Sequence, residues 1–232
     1  MNIKLPLAIL ILFGVQASTL SGQQRFAVSI EGGPSYTYIH GSQDNSDFLK
    51  PILGGYGGVA FQYNFLDKLA FKTGIAYERK GADLLVNSIM LNYTFHFDYL
   101  TIPMLIKGSF GKKVRFLVSA GPYVSYLIHQ TYINNHYYPY NFDYPIPDPS
   151  SYENANKFDF GVIASIGIEV RIKHQYALSM EVSDHYGLVN TGLFPSFLSE
   201  SGMQYNFDHD AINNAVILSL GFSYFFPSGN MN

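Results

Sequence analysis

Apolar and polar residues alternate with period two along most of this chain, the signature of strands with two unlike faces. Eight segments carry it: Phe26 to Thr37, Leu53 to Phe65, Lys68 to Lys80, Tyr93 to Gly108, Val114 to His129, Lys157 to Ile172, Tyr176 to Tyr186 and Ile212 to Phe226. In the last, Ile212, Val216, Leu218, Leu220, Phe222, Tyr224 and Phe226 share one face, and Asn213, Ala215, Ser219, Gly221 and Ser223 the other. Ile217 and Phe225 break that rule, as Leu117, Tyr123 and Leu127 do in the fifth segment. These segments outrun the usual strand of about 5 to 6 residues.

One face is large and apolar; the other is Gly, Ser, Ala and isolated charges. The interior of an eight-stranded barrel is only just wide enough for side chains, so the large face cannot be the interior. It points outward, into lipid, where a closed barrel leaves no strand edge unpaired. Connections alternate strictly between short (66–67, 109–113, 173–175) and long (38–52, 81–92, 130–156, 187–211). The expected fold is therefore all-β: an eight-stranded antiparallel up-and-down transmembrane β-barrel with short periplasmic turns and long external loops. The even strand count places both termini in the periplasm. Outward aromatics gather toward strand ends, with Phe26, Phe65, Phe116, Tyr176 and Phe226 on the periplasmic side and Tyr36, Tyr77, Tyr126 and Phe158 on the other, as two interfacial girdles would require.

One irregularity is expected in the hairpin Tyr99 to Tyr126. Tyr93, Phe95 and Phe97 read as outward, yet after Tyr99 the apolar set becomes Leu100, Ile102, Met104 and Ile106. Counting from a turn about Gly111 puts Leu100 opposite Pro122, and proline inside a sheet favours a bulge. A β-bulge is predicted there.

The N-terminus changes the picture of where the chain goes. Lys4 precedes an uncharged apolar run from Leu5 to Val15, then small residues at Ala17, Ser18, Ser21 and Gly22. Some eleven apolar residues are too few for a spanning helix, which needs about 20. The pattern predicts a secretory signal peptide over residues 1–22, cleaved after Ala17 or Gly22, followed by one barrel domain over 23–232.

Composition agrees. Tyr and Phe number 19 each, Trp is absent, and charged residues are only 13% of the chain, against about a quarter in soluble domains. With 14 basic and 17 acidic residues there is no basic patch to recommend a nucleic acid. The chain has no cysteine, which excludes disulfides, thiolate metal sites and a Cys nucleophile.

Several short stretches also resemble a known family. They are Thr73-Gly74-Ile75-Ala76-Tyr77-Glu78-Arg79-Lys80-Gly81, Tyr99-Leu100-Thr101-Ile102-Pro103, Ala120-Gly121-Pro122-Tyr123, Asp159-Phe160-Gly161 and Tyr186-Gly187-Leu188-Val189-Asn190. In order and spacing they resemble the PorT-like outer-membrane β-barrel proteins common in Bacteroidota, over essentially the whole mature chain. The resemblance implies an outer-membrane barrel and brings no catalytic motif with it.

Charges on the small, inward face need partners. Lys72, Lys107, Arg115 and Arg171 are expected near the periplasmic end with Glu31, Glu169 and Glu181 as counter-ions, and Glu78 and Asp159 further out. Lys107 and Arg115 are read as nearly opposite one another, with Glu169 the acid between them. Such a network would plug the barrel, because isolated buried charges are too costly to leave unpaired. Asp184-His185 and Asp208-His209-Asp210 are read as loop residues; no HExxH or EF-hand spacing occurs, so neither metal, cofactor nor catalytic residues are predicted. The segment from Gln130 to Asn156 carries Tyr132, Tyr137, Tyr138, Tyr140 and Tyr144 among Asn, Ser and Pro. Rigid aromatic area with adaptable polar groups makes it a candidate external binding loop.

The expected function is that of a non-enzymatic structural or surface-interaction barrel. Its partners would be outer-membrane lipid and another envelope protein or surface ligand. A transporter or narrow channel for small or hydrophobic solutes is the alternative, which bilayer conductance would reveal. A membrane-embedded hydrolase is the third class, which lipase or protease activity would reveal.

Overall fold

The computed structural model describes residues 25–40, 49–86, 91–134, 156–173, 175–190, 197–198, 204–205 and 211–227. Ten strands run in order: β1 (Phe26–His40), β2 (Leu49–Asn64), β3 (Leu69–Val86), β4 (Leu91–Gly111), β5 (Val114–Asn134), β6 (Phe158–Lys173), β7 (Tyr176–Asn190), β8 (Phe197–Leu198), β9 (Gln204–Tyr205) and β10 (Ile212–Phe225). All but β8 and β9, which pair only with each other, close into one barrel in the order β1-β10-β7-β6-β5-β4-β3-β2. Every neighbouring pair is antiparallel and β1 meets β10 to seal the sheet. The fold is thus the expected eight-stranded antiparallel barrel. Strand bounds differ from expectation mainly at the loop end, where β3, β4 and β5 extend to 18, 21 and 21 residues.

Alternation decides the facing. Along β6 and β7 every second residue is buried (Asp159, Gly161, Ile163; Ala177, Ser179, Glu181), while Phe158, Phe160, Val162, Leu178, Met180 and Val182 stand exposed on the outer wall. An outward apolar face of this extent is the surface that lipid covers. At the turn end the outer aromatics form two clusters. Phe26 lies 5.2 Å from Tyr63 and 5.7 Å from Phe61, and Tyr224 lies 5.4 Å from Tyr176 and 5.2 Å from Phe226, by ring centroids.

The hairpin of β4 and β5 corrects several expectations. Its turn is centred nearer Lys113 than Gly111, because Gly111 pairs with Arg115. Leu100 therefore sits opposite Tyr126, and Pro122 falls level with Met104, where the ladder simply lacks bonds that prolines 103 and 122 cannot donate. A register shift does exist, but between Asp98 and Tyr99 on one side and His129 and Leu127 on the other, so the extra residue is Ile128 on β5. Since β4 itself does not slip, Phe95 and Phe97 share a face with Tyr99 and point inward, buried at 3% and 0% exposure. Tyr93 is paired within β4, and its facing lies outside the described side chains. The same recount separates Lys107 from Arg115. Lys107 pairs with Ser119, four residues from the expected partner.

Gly111 holds the turn with φ +124, and a Cβ there would meet the Val114 carbonyl oxygen at 2.2 Å. A left-handed residue with no room for a side chain is strained by any substitution. Gly111→Ala is expected to cost about 1–3 kcal/mol, read as a lower urea midpoint of the refolded barrel with unchanged slope.

Candidate functional site in the barrel interior

The inward charged residues, from β1, β3, β4, β5, β6 and β7, gather into two tiers. The tier toward the turn end is one connected chain of ion pairs. Lys72 Nζ lies 2.7 Å from Glu31 and 3.6 Å from Glu181; Lys107 Nζ lies 4.0 Å from Glu181 and 3.8 Å from Glu169. Glu169 also takes Arg115 at 3.4 Å and Arg171 at 3.6 Å. Arg115 donates further to Ser109 Oγ, and the Arg171 guanidinium lies 3.8 Å over the Phe225 ring. Ser29 and Ser165 donate to Glu31 and Glu181 at 2.9 and 3.3 Å. Glu169 is directly paired with Arg115 across β5 and β6, which makes it the hub: three cations share it.

The tier toward the loop end is smaller and more deeply enclosed. Lys80, at 0% exposure, donates to Asp159 Oδ2 at 2.9 Å and to the Tyr123 hydroxyl at 3.1 Å, and lies 3.7 Å from Glu78 Oε1. Its ammonium sits 4.7 Å from the Tyr123 ring centroid and 5.5 Å from that of Tyr99. Tyr123 donates to Asp159 as well, at 3.2 Å. Glu78 accepts from Thr101 at 3.0 Å and meets His185 Nδ1 at 3.2 Å. Asn213 donates to the Tyr99 hydroxyl at 3.0 Å, tying β10 to β4 across the lumen. One oxygen each of Glu78 and Asp159 lacks a hydrogen-bond donor, so the nearby cation is what stabilises those carboxylates.

Of the residues expected in the interior network, Glu31, Lys72, Lys107, Arg115, Glu169, Arg171 and Glu181 occupy the first tier, and Glu78 and Asp159 the second. Lys80 was not among them, nor were Tyr99, Tyr123 and Asn213. His185 corrects an expectation: it is on β7, inward and buried, where a loop residue was expected. His185 already lies within the alternating segment Tyr176 to Tyr186, and β7 continues through it to Asn190. Asp184, its neighbour, is exposed on the outer wall. Tyr132 lies on β5. Tyr137, Tyr138, Tyr140, Tyr144 and the Asp208-His209-Asp210 run lie outside the described residues.

Between the tiers is a cavity of about 30 Å³ bordered by Glu31, Tyr56, Lys72, Glu181 and His185, the room of roughly one water. Buried apolar residues lie beyond each tier. At the turn end Ala27, Ala177 and Phe225 cluster; toward the loop end Phe95, Phe97, Ile39, Ile52 and Ala82 are buried. Among the described residues no group of His, Asp and Glu is arranged to hold a metal ion. The arrangement can brace the barrel wall from inside.

Comparison with known proteins places this geometry. A family model described as outer membrane protein beta-barrel domain matches residues 16–192. Among solved structures, Neisserial surface protein A is 10% identical, covering 89% of this chain and all of that one at a TM-score of 0.48. OprG from Pseudomonas aeruginosa is 13% identical, over 88% and 99%, at 0.46. The E. coli outer membrane protein W is 16% identical, over 89% and 100%, at 0.45. No curated protein matches the chain significantly. With its family model spanning well over half of the sequence, the chain belongs to the outer membrane protein β-barrel family.

Proposed function

We propose that this chain is a non-enzymatic, non-conducting barrel of the bacterial outer membrane, which anchors long external connections for contact with an envelope partner or surface ligand. In this reading residues 1–22 are a removed signal peptide, both termini lie in the periplasm, and the family kinship is PorT-like, within Bacteroidota. The observation that carries it is the filled interior. Two ion-paired tiers occupy the lumen, and the cavity between them is about 30 Å³. Eight strands leave little room beyond their own side chains, and desolvated, paired charges are costly to pull apart. What remains for interaction is the loop end, where the Tyr-rich segment 130–156 is the most distinctive stretch.

The test is conductance across a planar bilayer after refolding, with heat-modifiable gel mobility as the check on folding. No single-channel steps are expected. A stable open state in the refolded wild type would overturn the reading in favour of a channel. In the same preparation, deleting residues 134–151 is expected to leave the heat-modifiable barrel intact while removing contact with surface partners in intact envelopes.

A further inference from the structure

Sorting the charges by their place in the fold sets the turn end apart. The inward face is balanced: Lys72, Lys80, Lys107, Arg115 and Arg171 against Glu31, Glu78, Asp159, Glu169 and Glu181. The described outer wall toward the loop end is balanced, with Lys50, Arg79 and Lys157 against Asp83, Asp98 and Asp184. The turn end is not: Arg25, Lys68, Lys112, Lys113 and Lys173 face one acid, Asp67, a net of +4.

The cationic end is a built rim, since backbone bonds hold each turn against its neighbour. Ser109 N donates to the Lys68 carbonyl at 2.8 Å, and Arg171 N to the Lys113 carbonyl at 3.0 Å. Asn64 N donates to the Arg25 carbonyl at 2.7 Å, and Phe225 N to that of Gln175 at 2.7 Å. These bonds set Lys68, Lys112 and Lys113, and Lys173 on consecutive turns, with all four lysines exposed. Just above the rim on the outer wall stand Phe26, Phe110, Phe116, Tyr176 and Phe226, each more than a third exposed. Such a belt marks headgroup depth. Lysines level with it, as Lys173 is with its partner Tyr176, or two to three residues from its aromatics, as Lys112 and Lys113 are from Phe110, reach headgroup phosphates on their long flexible stems.

We infer that the turn-end rim formed by Lys68, Lys112, Lys113 and Lys173 binds the phosphate headgroups of anionic phospholipids. A cationic rim gains from an anionic leaflet, whichever compartment the turns face.

The test reads lipid preference directly. Protein refolded in phosphatidylcholine bilayers is probed with spin-labelled phosphatidylglycerol and spin-labelled phosphatidylcholine at low ionic strength. A preference of about fivefold for the anionic lipid is expected, what a single well-placed lysine supplies near an anionic surface. It should fall close to one in the Lys68→Gln/Lys112→Gln/Lys113→Gln/Lys173→Gln variant and, by screening, in high salt. A Lys112→Gln/Lys113→Gln variant should fall between. Lys157→Gln, an exposed loop-end change of one charge, should leave the preference intact. Absence of preference in the wild type, its persistence in the quadruple variant, or an equal loss in Lys157→Gln would each overturn the assignment. Inorganic phosphate should act no more strongly than chloride of equal ionic strength; selective displacement by it would mark a free-anion site and overturn the lipid one.

Discussion

Lys80→Met is expected to cost the barrel about 3–5 kcal/mol, the usual penalty for breaking a buried ion pair from one side. Lys80 and Glu78 are both at 0% exposure and Asp159 at 4%, so neither carboxylate can turn toward water when the ammonium goes. Glu78 would keep His185 and Thr101, at 3.2 and 3.0 Å. Asp159 would keep only the Tyr123 hydroxyl, at 3.2 Å, and would lose its one cation. Methionine fills a similar volume, so cavity formation contributes little and the loss isolates the charge. Urea unfolding of the refolded protein measures it. A companion variant, Lys80→Met with Glu78→Gln and Asp159→Asn, removes the charges together and should recover at least half of the loss, because an absent pair is far cheaper than a broken one. A single variant within about 1 kcal/mol of wild type would show that the tier is not what holds β3 to β5 and β6 across the lumen.

That Lys80 has to be learned from the structure says where period-two reading stops. The barrel, its strand count and its facing were legible because the outer wall is a broad apolar surface, so large apolar residues recur at every second position along most of β6, β7 and β10. The interior is less orderly, since it must also be filled. Leu117, Tyr123, Ile217 and Phe225 broke the pattern by putting bulk on the small face, and all four are buried inside at 0–1% exposure. Each exception marks a filling residue, and Tyr123 is the one that holds Lys80 and Asp159. Phe95 and Phe97 were misassigned for the same reason: near the loop end inward positions also carry apolar side chains, so large and apolar no longer means outward. Lys80 shares its face with Glu78 two residues earlier, which was the available signal. The expected segment ended at Lys80, whereas β3 continues to Val86. The Glu169 hub was legible as a residue but not as a geometry. Its link to Lys107 needs strand tilt and lumen width, neither of which alternation contains.

Glu169→Gln tests that hub, and its expected cost is smaller, about 2–3 kcal/mol, for a reason the exposures supply. Three cations lose their shared carboxylate, yet only Lys107 is fully committed to the interior, with its side chain 5% exposed. Arg115 and Arg171 sit closer to the rim, their side chains 13% and 25% exposed. Both retain other partners: Arg115 has Ser109, and Arg171 has the Phe225 ring at 3.8 Å. Long side chains near an interface can shift their charge toward water, which limits the penalty. The remaining network would hold four cations against Glu31 and Glu181, so the variant's residual instability is like-charge repulsion open to solvent at the turn end. Added salt should therefore restore part of the Glu169→Gln loss by screening at the rim. The Lys80→Met loss should be insensitive to salt, because ions do not reach a site at 0% exposure. Thermal and urea unfolding of both variants at low and high salt gives the comparison. An unchanged Glu169→Gln midpoint would mean that Lys107, Arg115 and Arg171 are held by their other partners alone, and equal salt responses in the two variants would mean that the tiers are not separated by burial.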